Sequence, residues 1–316
     1  MTAPNLLSRR LLFVTGKGGT GKTTVAAALA RHVASTGARV LVVEMDEKGA
    51  LAAALGCGPL SFEPAEVAPN LSAMAMNTED SLREYIRLFV RMPIVTTLGP
   101  LARILDFVAN AAPGVKEILA VGKLCYEVRE RNYDLVVVDA EASGHIVAQI
   151  AAPQVIRELV QVGLVHDQTD WMLEILGDHA RTGLVVVTTP EEMPVVETLE
   201  LVDRVRAETE VDVAAVLANR VLPAMFSDRE HEVFGRLTSP ALRAELRIAV
   251  GNGVDTVLDA ARLTEARRQI GAGHLDRLRS ALPGGVPLLV VPELFTRSTG
   301  RRVVTLMAQA IHDEVA

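Results

Sequence analysis

The residues with the clearest chemical potential form one glycine-rich segment after the first predicted strand, residues 11–15. The segment is Gly16-Lys17-Gly18-Gly19-Thr20-Gly21-Lys22-Thr23-Thr24, which fits the pattern G-x-x-x-x-G-K-[ST] between a strand and a helix. The glycines let backbone N–H groups point at phosphate oxygens, and the positive end of the following helix faces the same place. We therefore predict a nucleotide phosphate site, with Lys22 near the β- and γ-phosphates and the Thr23 hydroxyl on Mg²⁺.

Carboxylates follow two further predicted strands, at the ends where a nucleotide would lie. Asp46 comes shortly after residues 40–43. We predict that it orients the attacking water, and the alternative is a helix N-cap. Asp139 comes directly after residues 135–138. If that strand neighbours the strand before the glycine-rich loop, Asp139 holds Mg²⁺ directly or through water.

The elements that would position these groups are visible as short apolar runs. Their continuous hydrophobicity indicates strands buried on both faces, as in a parallel sheet. The runs are residues 11–15, 40–43, 135–138, 184–188, 213–217 and 288–291, and residues 71–76 are a candidate edge strand. Helical segments lie between them, such as residues 23–36, which Gly37 ends. The alternation predicts a doubly wound, mostly parallel α/β sheet with ligands at the carboxyl ends of its strands.

Two stretches exceed what a simple crossover needs. Residues 81–131 are largely apolar with helical spacing, and residues 223–283 are helical in pattern and charged. No repeat or low-complexity tract separates them, so we predict one P-loop domain over residues 1–316 with two helical elaborations. The apolar residues of the first stretch either line a surface for a client or partner, or they pack in a core or dimer interface. They are Tyr85, Leu88, Phe89, Met92, Leu98, Leu101, Ile104, Leu105 and Val108.

Composition excludes several classes of protein. The 316 residues are 49% hydrophobic and 22% charged, as in globular chains. A net charge of −7 gives no general attraction for nucleic acid. Cys57 and Cys125 lack CxxC spacing, which excludes a disulfide framework and a self-contained zinc cluster and favours a cytoplasmic location. No run reaches the roughly 18 apolar residues of a membrane span.

The glycine-rich loop with its early lysine, Lys17, resembles the deviant Walker A motif of the MinD, ParA and ArsA group of dimeric ATPases. Later segments resemble ArsA and the tail-anchored-protein targeting ATPases in particular. Asp46-Glu47-Lys48-Gly49 matches the Asp-Pro-Ala-His switch I of that family at its first residue. Asp139-Ala140-Glu141-Ala142-Ser143-Gly144-His145 resembles its Asp-Thr-Ala-Pro-Thr-Gly-His switch II.

Two more positions extend this resemblance to the base of the nucleotide. Asn219 matches the family's base-contacting asparagine, and its side chain has the donor and acceptor needed for the edge of adenine. A turn residue at a strand end is the alternative for Asn219. Pro292, with Glu293 and Leu294, resembles the adenine-side loop.

The resemblance implies a Mg²⁺-dependent ATPase that works as a dimeric switch. It gives Lys17 a role in trans, reaching the partner subunit's nucleotide much as an arginine finger does. The alternative for Lys17 is a solvated side chain. His145 is either part of the switch or a hydrogen-bonded structural histidine.

The cargo stays open. Cys57 and Cys125 do not reproduce the metalloid-binding cysteine cluster of arsenite-pump members. The strand at Leu184 follows Asp139 after little more than one crossover, where targeting factors carry a long apolar insertion. We expect a homodimer or a heterodimer with a related ATPase, no nucleic acid, and either a protein client or a membrane partner. The competing interpretation is a membrane-positioning or partition ATPase of the MinD/ParA type, which would favour a basic amphipathic tail.

Overall fold

The backbone of the protein is a sheet flanked by helices, seen in a computed structural model that describes residues 6–45, 48–87, 114–159, 162–237 and 239–315. Its strands are β1 Leu11–Gly16, β2 Val40–Glu44, β3 Ala65–Ala68, β4 Leu71–Ala75, β5 Leu135–Asp139, β6 Thr182–Thr188, β7 Val213–Val221 and β8 Leu288–Pro292. Within the described residues they form one sheet in the order β3-β4-β2-β5-β1-β6-β7-β8. Only β3 is antiparallel to its neighbour in this sheet. The predicted α/β class with a mostly parallel sheet is confirmed.

Helices cover both faces of this sheet, as a doubly wound fold requires. The described α-helices are α1 Lys22–Ser35, α2 Ala50–Leu55, α3 Thr78–Tyr85, α4 Val115–Arg129, α5 Ser143–Leu159, α6 Leu164–Leu176, α7 Glu192–Glu208, α8 Asp228–Leu237, α9 Pro240–Val250, α10 Gly253–Ala281 and α11 Arg301–Val315. One apolar core contains residues of α1, α2 and α11. The other contains residues of α4, α5, α6 and α7. The faces of β1 therefore meet two separate cores.

Of the predicted strand 71–76, residues Leu71–Ala75 form β4, but the prediction that it lies at the edge was wrong. Ala65–Ala68 pairs with β4 in the antiparallel direction and takes the edge position. Asn70, with φ 60°, lies in the tight connection between the two strands. No apolar run in the sequence predicts this edge strand. It has only four residues, and these are exposed or half-buried.

Helix α1, which begins at the glycine-rich loop, is enclosed by its neighbours. Residues 25–30 are completely buried along one continuous stretch. Four of the six are alanines, whose small side chains let the sheet and other helices approach the α1 backbone closely. Helix α11 packs Val304, Met307 and Ile311 into the same core. Helix α11 is therefore packed against the sheet side that α1 covers.

The two predicted elaborations differ in how much of them is described. Residues 223–283 contain α8, α9 and α10. The stretch 81–131 contains the end of α3 and all of α4, while residues 88–113 lie outside the described residues. Most of the predicted apolar surface, from Leu88 to Val108, falls in that range. Among the described helices, none combines the length and apolarity that crossing a bilayer requires.

Candidate nucleotide site

The strand order brings the predicted phosphate and metal groups to one edge of the sheet. Strand β1 lies between β5 and β6, and Asp139 at the end of β5 is in register with Val14. Asp139 lies two residues after Val137, so their side chains are on the same face of the sheet. Val137 belongs to the core that contains residues of α1, α2 and α11, the core under α1, so Asp139 faces α1. Asp139 is only 7% exposed. A buried carboxylate thus lies on the strand beside the glycine-rich loop, as the magnesium assignment requires.

The glycine-rich loop is closed by its own hydrogen bonds. The Lys17 carbonyl accepts from the Thr20 hydroxyl at 2.8 Å and from the Thr20 backbone N–H at 3.4 Å. Thr20 is buried, while Gly18 and Gly19 are exposed. Lys22, Thr23 and Thr24 then form the first turn of α1. The first N–H groups of a helix lack intrahelical acceptors, which makes this turn suited to an anion.

Two glycines of the loop are required by close contacts and by their backbone angles. A Cβ on Gly16, where φ is +145°, would lie 2.0 Å from the Val187 carbonyl oxygen of β6. A Cβ on Gly21, where φ is +94°, would lie 2.6 Å from Asn219 Nδ2. Residues other than glycine rarely adopt such positive φ angles. The loop therefore lies directly against the ends of β6 and β7.

Asn219 connects the end of β7 to this loop. Its Nδ2 donates to the Thr20 carbonyl at 2.8 Å, and its Oδ1 accepts from the Arg220 backbone N–H at 2.9 Å. Asn219 is 2% exposed. The contact with adenine stays a prediction, but the structure adds a role that the sequence analysis missed. No local pattern reveals it, because Asn219 and Thr20 are 199 positions apart.

Pro292 lies in the same corner of the sheet. It ends β8 and pairs with Val221 of β7, and the Glu293 N–H donates to the Val221 carbonyl at 2.9 Å. The predicted adenine-side residues Asn219 and Pro292 thus lie near the ends of two neighbouring strands. Their contact with a base stays a prediction.

The two switch segments are described to different extents. Asp46 and Glu47 lie outside the described residues, so the role of Asp46 stays a prediction. The second segment is tied to β1 because the Thr15 hydroxyl donates to the Glu141 carbonyl at 2.7 Å. His145 is exposed in the first turn of α5, and both of its proposed roles stay predictions.

Glu44 is a buried carboxylate that the sequence analysis did not select. It ends β2 in register with Asp139 and is 3% exposed. Its Oε1 accepts from the Leu51 backbone N–H at 3.2 Å, inside the first turn of α2. The sequence signal for Glu44 is its position directly after the apolar run of residues 40–43. Glu44 fixes the helix that follows the first switch segment.

Lys17, the early lysine of the loop, contacts helix α7. Its Nζ forms an ion pair with a carboxylate oxygen of Glu197 on α7. Both side chains are partly exposed, 34% for Lys17 and 28% for Glu197. The pair joins the loop to the helix that follows β6, within one subunit.

The two cysteines do not meet. Cys57 is half-buried against the core under α1, and Cys125 is completely buried in the core on the other face of the sheet. Burial raises the pKa of the Cys125 thiol well above its ordinary value. Cys125 therefore stays protonated and packs as a small apolar residue.

Comparison with known proteins agrees with this geometry. A family model described as anion-transporting ATPase, ArsA_ATPase, matches residues 9–169 and 158–236. The chain is 32% identical to the ATPase BagA of Mycobacterium tuberculosis over 305 residues, which cover 90% of this chain and 87% of that protein. It is 31% identical to the ATPase get3 of Schizosaccharomyces japonicus over 164 residues, 50% of this chain and 49% of that one. It is 25% identical to an ATPase ASNA1 homolog of Babesia bovis over 261 residues, 69% of each chain.

The contact of Gly16 with β6 predicts a large effect of adding one methyl group. Gly16→Ala should lower the free energy of unfolding by about 2–5 kcal/mol, because the new Cβ overlaps a backbone oxygen and the φ is unfavourable. Gly18→Ala is the matched control, since a Cβ there meets nothing within 4 Å. Urea unfolding of both variants measures the difference. Equal midpoints would show that the loop does not lie against β6 as described.

The Asn219 contact predicts a stability effect without any nucleotide. Asn219→Ala should lower the free energy of unfolding by about 1–2 kcal/mol, because it removes the donor to the buried Thr20 carbonyl. Asn219→Asp keeps the volume but cannot donate, so it should lose at least as much. Unfolding of the nucleotide-free protein separates this contact from any contact with a base. Unchanged midpoints in both variants would refute the connection.

Proposed function

The chain belongs to the anion-transporting ATPase family and is an ATPase, and we propose that it couples Mg²⁺-dependent ATP hydrolysis to a dimeric switch. The adjacency of β1 and β5 carries this proposal, since it sets the glycine-rich loop beside the buried Asp139. A loop of N–H donors and a carboxylate on the neighbouring strand are the groups that a metal-bound triphosphate needs.

The donor groups fit magnesium. The Thr23 hydroxyl in the first turn of α1 and the Asp139 carboxylate at the end of β5 are hard oxygen ligands of the kind Mg²⁺ prefers. When bound, the metal ion would neutralise negative charge on the β- and γ-phosphates. Thr23 and Asp139 would hold it on the α1 side of the sheet.

The remaining roles belong to side chains of the loop and the first switch. Lys22 supplies a positive charge to the β- and γ-phosphates, alongside the N–H groups of the α1 turn. Asp46 orients the attacking water. Lys17 reaches the nucleotide of a second subunit, where its charge matters most as negative charge develops in the transition state. This last role makes hydrolysis depend on dimer formation.

The second subunit is a copy of this chain or a related ATPase, and the client is left open. We place the reaction in the cytoplasm because both thiols are free. The family model and the relatives are of the ArsA type and not of the MinD/ParA type. Helix α11 also packs Val304, Met307 and Ile311 into a core and does not leave them free for a membrane. The ArsA-type switch is therefore the function that we propose.

Removal of the Lys22 charge tests the phosphate site. Lys22→Ala should weaken ATP binding by about tenfold or more, because it deletes a charge-assisted contact with the phosphates. Titration calorimetry measures the affinity, and phosphate release measures turnover. Lys116→Ala, which removes an exposed lysine of α4, is the control. Wild-type affinity and turnover in Lys22→Ala would exclude this loop as the nucleotide site.

A mixing experiment tests the role of Lys17 in trans. Lys17→Ala should bind ATP but hydrolyse it slowly, and Asp46→Asn should do the same for a different reason. In a mixed dimer, consider the nucleotide bound to the Lys17→Ala chain. That chain supplies its own intact Asp46, and the Asp46→Asn chain supplies an intact Lys17 from the other subunit. At equal ratio, random pairing should restore about a quarter of the wild-type rate.

The mixing result depends on proof that subunits exchange. Fluorescence energy transfer between differently labelled variants provides that proof. If mixed dimers form and no ratio restores hydrolysis, Lys17 acts within its own subunit.

A further inference from the structure

The ion pair of Lys17 links two segments that are far apart in sequence. Lys17 and Glu197 are 180 positions apart, one in the loop after β1 and the other on α7 after β6. Because β1 and β6 are neighbours in the sheet, the loop and the start of α7 lie at the same edge. The contact therefore follows from strand order and not from local sequence.

Glu197 is held on a rigid support. Its helix, α7, buries Val195, Thr198 and Leu201, which belong to the turns on either side of Glu197. The first turn of the helix also contains the buried Pro194. The backbone that carries Glu197 is therefore fixed, and Lys17, in the loop after β1, has the longer side chain of the pair.

The exposure of the pair sets its strength. At 34% and 28% exposure, both groups are partly hydrated, so the pair is worth little and is readily exchanged. A triphosphate offers more negative charge than one carboxylate. An ammonium group engaged with Glu197 on its own subunit must leave that carboxylate before it can serve a nucleotide on another subunit.

We propose that Glu197 is a positioning residue that holds Lys17 on its own subunit until ATP and a second copy of the chain compete for it. The inference rests on the proposed dimeric switch, because it defines where Lys17 lies before the switch closes. Glu197 thereby lowers the fraction of subunits whose Lys17 is ready to act in trans. Such a restraint weakens the apparent affinity for ATP in the closed dimer by that same fraction.

The first arm of the test measures the contact without nucleotide. Acetylation by a water-soluble N-hydroxysuccinimide ester, followed by peptide mass spectrometry, reports the exposure of each amine, and the chain has only five lysines. Relative to the exposed Lys116, Lys17 should react about two- to fivefold faster in Glu197→Gln than in the wild type. Glu200→Gln, which changes an exposed carboxylate on the same helix, should leave the rate unchanged. Equal Lys17 rates in all three proteins would overturn the proposal.

The second arm measures the consequence for the reaction. The ATP concentration that gives half-maximal hydrolysis should fall in Glu197→Gln by the same factor as the acetylation rate rises, with the maximal rate unchanged. A loss of structure would instead lower the maximal rate and the urea midpoint. Faster acetylation with an unchanged ATP dependence would show that the contact exists but does not restrain Lys17, which also overturns the proposal. A wild-type chain without ATP hydrolysis would refute the proposed function, and acetylation would still decide whether Glu197 holds Lys17.

Discussion

The site depends on how closely the glycine-rich loop lies against the ends of two strands. The absent Cβ of Gly16 lets the end of β1 pass the Val187 carbonyl, and that of Gly21 leaves room for the Asn219 amide. These contacts, and not the loop sequence alone, determine which way its N–H groups point. A loop held in this way pays little conformational entropy when phosphate binds.

The same packing couples the loop to the rest of the carboxyl edge. Helix α1 is enclosed by the sheet and α11, so its first turn is fixed relative to β5 and the Asp139 carboxylate. Thr15 ties the second switch segment to β1, and Glu44 ties α2 to β2. In contrast, the Lys17 ion pair is partly exposed, so it is weak and a charged ligand can displace it. A fixed phosphate site beside one movable lysine suits a switch that closes on a second subunit.

Local patterns predicted much of this architecture from the sequence. The six apolar runs are all strands, and the glycine-rich loop lies between a strand and a helix as its motif requires. Asp139 could be placed only conditionally, because strand order is a long-range property. The contacts Asn219 to Thr20 and Lys17 to Glu197 left no trace in the sequence, since each joins segments that meet only after the sheet has formed. Strand β3 was missed because an exposed edge strand of four residues carries no apolar run.

In the proposed site, binding energy comes from the contacts of the loop with the phosphates, and magnesium strengthens binding. Titration calorimetry of the wild-type chain with ATP, ADP and adenosine, each with and without Mg²⁺, tests it directly. We expect ATP and ADP to bind far more tightly than adenosine. We also expect Mg²⁺ to strengthen the binding of ATP and ADP and to leave the binding of adenosine unchanged. Adenosine binding as tight as ATP binding, or ATP binding that lacks any response to Mg²⁺, would contradict it.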